Sequence, residues 1–201
     1  MQAQEIESLL RESGAFLEGH FQLSSGNHSD RYVQCAQLLQ HPVRAGVVGA
    51  ALGREFEQAG VDVVVGPALG GVIVAHEVAR YLGTRALFAE RQGTELTLRR
   101  GFGITPGERV LVVEDVVTSG GSAMETAAVV RQLGGELAGS GAIIDRSGGA
   151  ANLPQPFRAL LAVPFTHYPP DKCPLCAKGI PLVKPGSRPG GAQKAGGGHV
   201  G

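Results

Sequence analysis

One stretch limits what this chain can fold into: VLVVEDVVTSGGS at positions 110–122, where an apolar run, an acidic pair and a loop of hydroxyls and glycines follow one another. Residues 110–113 are apolar and mostly β-branched, the composition of a strand buried on both faces of a parallel sheet. Glu114 and Asp115 are expected to end that run, which would place two carboxylates at a strand's carboxyl edge. Val116 and Val117 then lead into Thr118, Ser119, Gly120, Gly121 and Ser122, ahead of a helical segment at 123–133. Hydroxyls and unhindered backbone N–H groups just before a helix cradle a phosphate. An acid pair beside an anion cradle suits a ligand with vicinal hydroxyls at one end and a phosphate at the other, which is the shape of a ribose 5-phosphate. The competing reading is a plain strand, turn and helix.

Units of the same kind lie on either side. Residues 61–66, VDVVVG, read as a strand whose exit is Pro67, Ala68, Leu69, Gly70 and Gly71, followed by a helix at 72–82. Glycines there let backbone approach an anion closely. Residues 85–89 read as a further strand, and ERQGTELTLRRGF at 90–102 carries Arg91, Arg99 and Arg100 around a polar turn. A strand at 138–144 runs into Asp145 and Arg146, and 157–163 reads as the last core strand. Repeated strand and helix units with glycine loops at strand exits predict an α/β fold, a parallel sheet flanked by helices with its ligand across the carboxyl edges.

Upstream, Ile6, Leu9 and Leu10 lie at helical spacing before Gly14, and Phe16, Phe21, Leu23, Tyr32 and Val33 suggest two short strands around a polar turn at 24–30. Pro42 suits the first turn of a helix with Val47, Val48, Ala51, Leu52 and Phe56 on its apolar face. The expected division is 1–40 for the N-terminal helix and a small hood, 41–165 for the core, 166–188 for a Cys-containing C-terminal extension, and 189–201 for a disordered glycine-rich tail.

Composition excludes several functions. Eighteen basic and eighteen acidic residues cancel, so the whole chain offers no electrostatic footprint for nucleic acid. No stretch approaches a membrane span or a signal core, and a cytoplasmic location is expected. Three cysteines do not make a disulfide framework. Cys173 and Cys176, in CPLCAKG, supply half of a tetrahedral zinc site, which His167 and Cys35 or a second subunit could complete; the competing reading is a pair of reduced thiols in a folded hairpin. Gly101, Gly103 and Gly107 precede a strand and so form no dinucleotide fingerprint, and Arg80 stands where a zinc-protease helix beginning His76-Glu77 would need its second histidine.

The 110–122 segment resembles the phosphoribosyl pyrophosphate (PRPP) signature of type I phosphoribosyltransferases, and its ED-VVT-GGS form is most similar to that of the orotate phosphoribosyltransferases. The resemblance covers 16–163 in order and implies that family's fold with an N-terminal hood. It implies that Glu114 and Asp115 hold the ribose hydroxyls, that Thr118, Ser119, Gly120, Gly121 and Ser122, with Val116 and Val117, wrap the 5-phosphate, and that Leu69, Gly70 and Gly71 receive the pyrophosphate. The pattern FxLSSGxHSxxYV resembles the hood that covers the base, which implies Ser25, Gly26, His28 and Tyr32, together with Thr118 and Arg146, near orotate; some members carry a lysine where Ser24 stands here.

By order, 90–102 corresponds to the family's mobile loop. It has no lysine or histidine, which leaves Arg91 as the first choice for a catalytic cation delivered to a neighbouring subunit, ahead of Arg99 and Arg100. A hairpin with solvated arginines is the alternative. Arg146 is implied to grip the orotate carboxylate, a planar bidentate contact; the alternative is an ion pair with Asp145. The implied reaction transfers phosphoribosyl from PRPP to orotate, giving orotidine 5-monophosphate and pyrophosphate, a step in pyrimidine biosynthesis. It would need Mg²⁺ held mainly through substrate and water, a homodimer with shared active sites, and no side-chain nucleophile. Rival readings are a purine phosphoribosyltransferase, or a PRPP-sensing regulator of the same fold.

Overall fold

The computed structural model describes residues 1–23, 25–163 and 165–185. Ser24 and the glycine-rich 189–201 segment lie outside the described residues. Two compact units are present, Met1–Leu17 with Val33–Phe165, and Glu18–Tyr32 with the described part of Thr166–Gly201. The N-terminal helix therefore groups with the core, whereas the hairpin that follows it groups with the C-terminal extension.

In chain order the elements are α1 (Ala3–Glu12), β1 (Phe16–Gln22), β2 (His28–Val33), α2 (Ala36–Leu39), α3 (Pro42–Arg54), β3 (Val63–Pro67), α4 (Gly70–Leu82), β4 (Arg85–Gln92) and β5 (Glu95–Leu98). There follow β6 (Arg109–Val117), α5 (Gly121–Gln132), β7 (Glu136–Asp145), β8 (Phe157–Ala162), β9 (His167–Tyr168) and α6 (Pro174–Ala177). Local chemistry explains the ends of α1. The Gln2 N–H donates to Glu5 at 2.6 Å at its start. At its end Gly14, at φ 68°, lets the N–H groups of Gly14 and Ala15 return to the carbonyls of Arg11 and Leu10. Pro42 opens α3, where its missing N–H has no cost.

The larger unit is built on a six-stranded sheet of order β5-β4-β3-β6-β7-β8. Its neighbours pair in parallel except β5, which returns antiparallel to β4. Among the parallel strands the chain starts at β3, moves out to β4, and then crosses to β6, so the order reverses between β3 and β6. Loops leaving the carboxyl ends of two strands on either side of such a reversal point away from each other and open a crevice, where ligands of open α/β sheets bind.

Burial alternates along the strands as two covered faces require. Val64, Leu111 and Val113 pack with Val48 and Leu52 of α3 and Val74 and Val78 of α4. Val63, Val65, Val110 and Val112 pack with Ala123, Ala127 and Val130 of α5. The strand at 110–113 is longer than expected. It does not stop at the acid pair but runs to Val117, with Glu114, Val116 and Val117 paired to Ala142, Ile144 and Asp145 of β7. Backbone pairing is indifferent to side-chain charge, and two β-branched valines follow the acids, so the ladder continues. Among the described residues no helix is long and apolar enough to cross a membrane.

Candidate active site

Three neighbouring strands deliver the site. β3 lies beside β6 through the pairs Val63 to Val110, Val64 to Leu111 and Val65 to Val112, and β7 flanks β6 on the other side. At their carboxyl ends stand, side by side, Leu69 with the first residues of α4, Gly70 and Gly71; the turn Thr118 to Gly120 with the first residues of α5, Gly121 and Ser122; and Arg146. The Arg146 N–H donates to the Val117 carbonyl at 2.9 Å, which sets Arg146 one strand away from Thr118.

The loop after β6 is shaped by Gly120, which takes the left-handed conformation at φ 79° and caps α5. A Cβ on Gly120 would stand 2.9 Å from Leu153 Cδ2, so both space and backbone reserve the position for glycine. The Met124 N–H donates to the Gly120 carbonyl at 3.0 Å, and the first turn of α5 directs its remaining N–H groups out of the helix.

Glu114 and Asp115 occupy opposite faces of β6, as alternation along a strand dictates. Glu114 faces α5 and accepts a hydrogen bond from the Ser122 hydroxyl. Asp115 faces α4, where its carboxylate lies so close over Gly70 that a Cβ there would overlap it. Glycine at 70 is thus required by the acid it lies beneath, which couples the loop after β3 to the signature of β6. Gly70→Ala is expected to cost about 1–3 kcal/mol of stability, seen as a lower urea midpoint at unchanged slope. The loss should vanish in an Asp115→Ala background; persistence there would place the clash elsewhere.

Burial pushes the Glu114 carboxyl up to about 7, the neighbouring Asp115 carboxylate adds to the rise, and the Ser122 hydroxyl opposes it. Burial likewise raises Asp115, against the N–H groups of Val116 and of Asp115 itself. The folded state therefore binds more protons at Glu114 than the unfolded chain does between the ordinary value of 4.5 and about 7. Stability of the ligand-free protein should fall as pH rises through that window, by roughly 2–4 kcal/mol for Glu114. Thermal melts from pH 5 to 7.5 check this: Glu114→Gln should flatten most of the slope, and an unchanged slope in that variant would refute it. Two buried acids that resist ionisation form a site suited to hydroxyl donors or a cation.

The remaining residues divide between the two units. The Arg146 guanidinium lies over the Phe165 ring with its Cζ 4.0 Å from the ring centre, while the Asp145 carboxylate accepts the Ser147 N–H at 2.7 Å. Residues 90–102 form a hairpin, with β4 and β5 paired antiparallel across a turn. Arg91 donates to both Glu125 oxygens of α5, at 2.5 and 3.1 Å, and Arg100 donates to Glu90 at 3.1 Å through two nitrogens. Arg99 is exposed.

In the smaller unit Gly26, at φ 85°, makes the hairpin turn, the Asn27 N–H donates to Ser25 Oγ at 3.4 Å, and the Tyr32 ring packs 5.8 Å from Phe21. His28, expected beside the base, instead turns its Nδ1 toward His20 Nε2 at 2.9 Å. Cys35 is buried in the larger unit, its thiol donating weakly to the Asp115 carbonyl at 3.9 Å, and burial followed by the Asp115 charge drives its pKa well up. It is a packing residue beneath the acid pair and not a partner of Cys173 and Cys176. Neither His20 nor the place of Cys35 carries a local sequence signal, since both depend on segments far apart in the chain.

Comparison with known proteins agrees with this geometry. The phosphoribosyl transferase domain model matches residues 34–161. The orotate phosphoribosyltransferase of Desulforamulus reducens is 53% identical over 188 residues, 94% of this chain and 98% of its own length. Among solved structures, Mycobacterium tuberculosis H37Rv orotate phosphoribosyltransferase in complex with Fe(III) dicitrate superposes with a TM-score of 0.65 at 27% identity, over 79% of this chain and 95% of that one. The same enzyme in complex with PRPP superposes at 0.60 with 26% identity, over 79% and 94%. With the domain model matching well over half its length and a relative of this identity along nearly all of it, the chain belongs to the orotate phosphoribosyltransferase family.

Proposed function

We propose that the chain transfers the phosphoribosyl group of PRPP to N1 of orotate, giving orotidine 5-monophosphate and pyrophosphate, and that it does so in the cytoplasm. The C1–O bond to pyrophosphate breaks, the bond from C1 to N1 forms, and the N1 proton leaves to pyrophosphate or solvent. The observation that carries the reading is the row of three adjacent strand ends: a glycine loop for pyrophosphate, an acid pair with an anion cradle for ribose 5-phosphate, and an arginine for the acceptor.

In this reading the backbone N–H groups of residues 118–122 bind the 5-phosphate, and Glu114 and Asp115 accept the ribose hydroxyls, one from each face of β6. Hydroxyl donors relieve the cost of keeping two buried carboxylates ionised, so ligand and acid pair stabilise each other. The same oxygens fit Mg²⁺, which when bound supplies neutralising charge to the leaving pyrophosphate. Leu69, Gly70 and Gly71 present backbone to the pyrophosphate. Positive charge developing at C1 is offset by surrounding anions, so the protein contributes orientation and electrostatics and no covalent group.

Arg146, whose Cζ lies 4.0 Å from the centre of the Phe165 ring, reads the orotate carboxylate. Ser25, Gly26 and Tyr32 are assigned to the base. Arg91 is the cation offered to the site of a second copy in a homodimer. Its pair with Glu125 is 48% and 44% exposed, and an ion pair so solvated holds by no more than about 1 kcal/mol, so release is cheap.

The test is transfer from PRPP to labelled orotate with Mg²⁺, beside adenine, hypoxanthine and xanthine. Turnover of orotate alone is expected. Turnover of a purine in preference would overturn the choice of acceptor, and tight PRPP binding with no turnover of any base would point to a regulator.

A further inference from the structure

The smaller unit has an unusual interior. Its buried residues among those described are His20, Phe21, His28, Ser29 and Cys173, so Phe21 is the one large apolar side chain at its centre, while Ile180, Leu182 and Val183 stand exposed. A unit this small cannot be held by so little apolar burial, and small units of this kind draw on a metal or a disulfide. All three cysteines are free thiols.

At that centre, one ligand atom from each of His20, His28, Cys173 and Cys176 lies within 4.8 Å of every other. Cys173 Sγ is 3.5 Å and Cys176 Sγ 3.7 Å from His20 Nε2, and Cys176 Sγ is 3.4 Å from His28 Nδ1. With Zn–S about 2.3 Å and Zn–N about 2.1 Å, a tetrahedral centre sets sulfur and nitrogen ligands about 3.5 Å apart. The histidine is prepared as well. His20 Nδ1 lies 2.7 Å from the Ile180 carbonyl, which can only accept, so Nδ1 carries the proton and the Nε2 lone pair is turned toward the thiols. The two cysteines are brought onto one side by α6, the Ala177 N–H donating to the Cys173 carbonyl at 3.2 Å and the Gly179 N–H to the Cys176 carbonyl at 2.9 Å.

We propose that His20, His28, Cys173 and Cys176 form a closed, four-ligand zinc site that joins the β1–β2 hairpin to the C-terminal extension. Two thiolates and two imidazoles in a tetrahedral set select zinc over hard cations, and four protein ligands with no open position make the site structural. This site is separate from the acid pair, lies in the other unit, and does not depend on the proposed reaction.

The test uses the full untagged chain, produced with zinc in the medium and purified without metal-affinity resin. Elemental analysis should find about one zinc per chain. Cys173→Ser and Cys176→Ser should each lower that by at least about tenfold. Because a variant can fail to fold, the wild-type chain is also stripped and refilled with Co²⁺, which should give the strong visible absorption of a tetrahedral thiolate-bound ion. Zinc below about a tenth per chain with only weak octahedral cobalt bands, zinc retained by both serine variants, or iron or copper found in its place would each overturn the assignment.

Discussion

The double variant Glu114→Gln/Asp115→Asn should lose about 10²- to 10⁴-fold in kcat/KM for PRPP while becoming more stable above pH 7. Each carboxylate offers a charged acceptor to a ribose hydroxyl, and hydrogen bonds to charged groups contribute about 1.5–3 kcal/mol each, which do not add fully when neighbours are removed together. In the ligand-free protein the same two groups are a burden, since burial raises both acids and each adds its charge to a poorly solvated place. Neutral amides of the same shape remove that burden, and unfolding free energy should rise by roughly 1–3 kcal/mol at pH 8. The opposite signs make the experiment informative. Lost activity with lost stability would mean simple misfolding, and kcat/KM within tenfold of wild type would remove the acid pair from donor binding.

Arg146→Ala should lower kcat/KM for orotate by about 10²- to 10³-fold and leave the Kd for PRPP within about threefold. Truncating one partner of a buried, charged, hydrogen-bonded pair costs about 2–5 kcal/mol, and only the acceptor carries the carboxylate this arginine would meet. Arg146→Lys should recover little. A guanidinium offers a carboxylate a plane with paired donors, and an ammonium has neither. Steady-state kinetics with orotate, set beside PRPP titration in the absence of orotate, separates the two substrates. Equal loss for both would show that Arg146 supports the sheet edge and does not read the acceptor.

Much of the larger unit was legible in advance because its signals are local. The valine runs of β3 and β6, the glycines after them, and the Asp145-Arg146 pair each lie within a few residues, and a parallel sheet buried on both faces needs such runs. Boundaries were less legible. β6 carries its acids inside the strand because β7 continues to pair with it, and pairing is a property of two segments, not one. Gly70 could be read as permissive for an anion, but its contact with the Asp115 carboxylate emerges only when β3 and β6 lie side by side. The arginines of 90–102 had two readings, and the partners of Arg91 and Arg100, Glu125 and Glu90, were not legible in advance, because strand pairing and helix packing set them.

The cysteine turn marks the limit most clearly. CPLC by itself specifies two thiols on one turn and nothing more. Its histidine partner His20 stands 153 positions away, and no spacing rule joins residues so far apart. By itself the sequence determined the strand and helix units and the glycine turns that follow the strands, since hydrophobic period, glycine and charge act over a turn or a strand. Tertiary structure alone decided which acid faces which helix, that Arg146 lies one strand from Thr118, and that two histidines of a hairpin meet two cysteines of the C-terminal extension, because those outcomes rest on strand order and long-range packing.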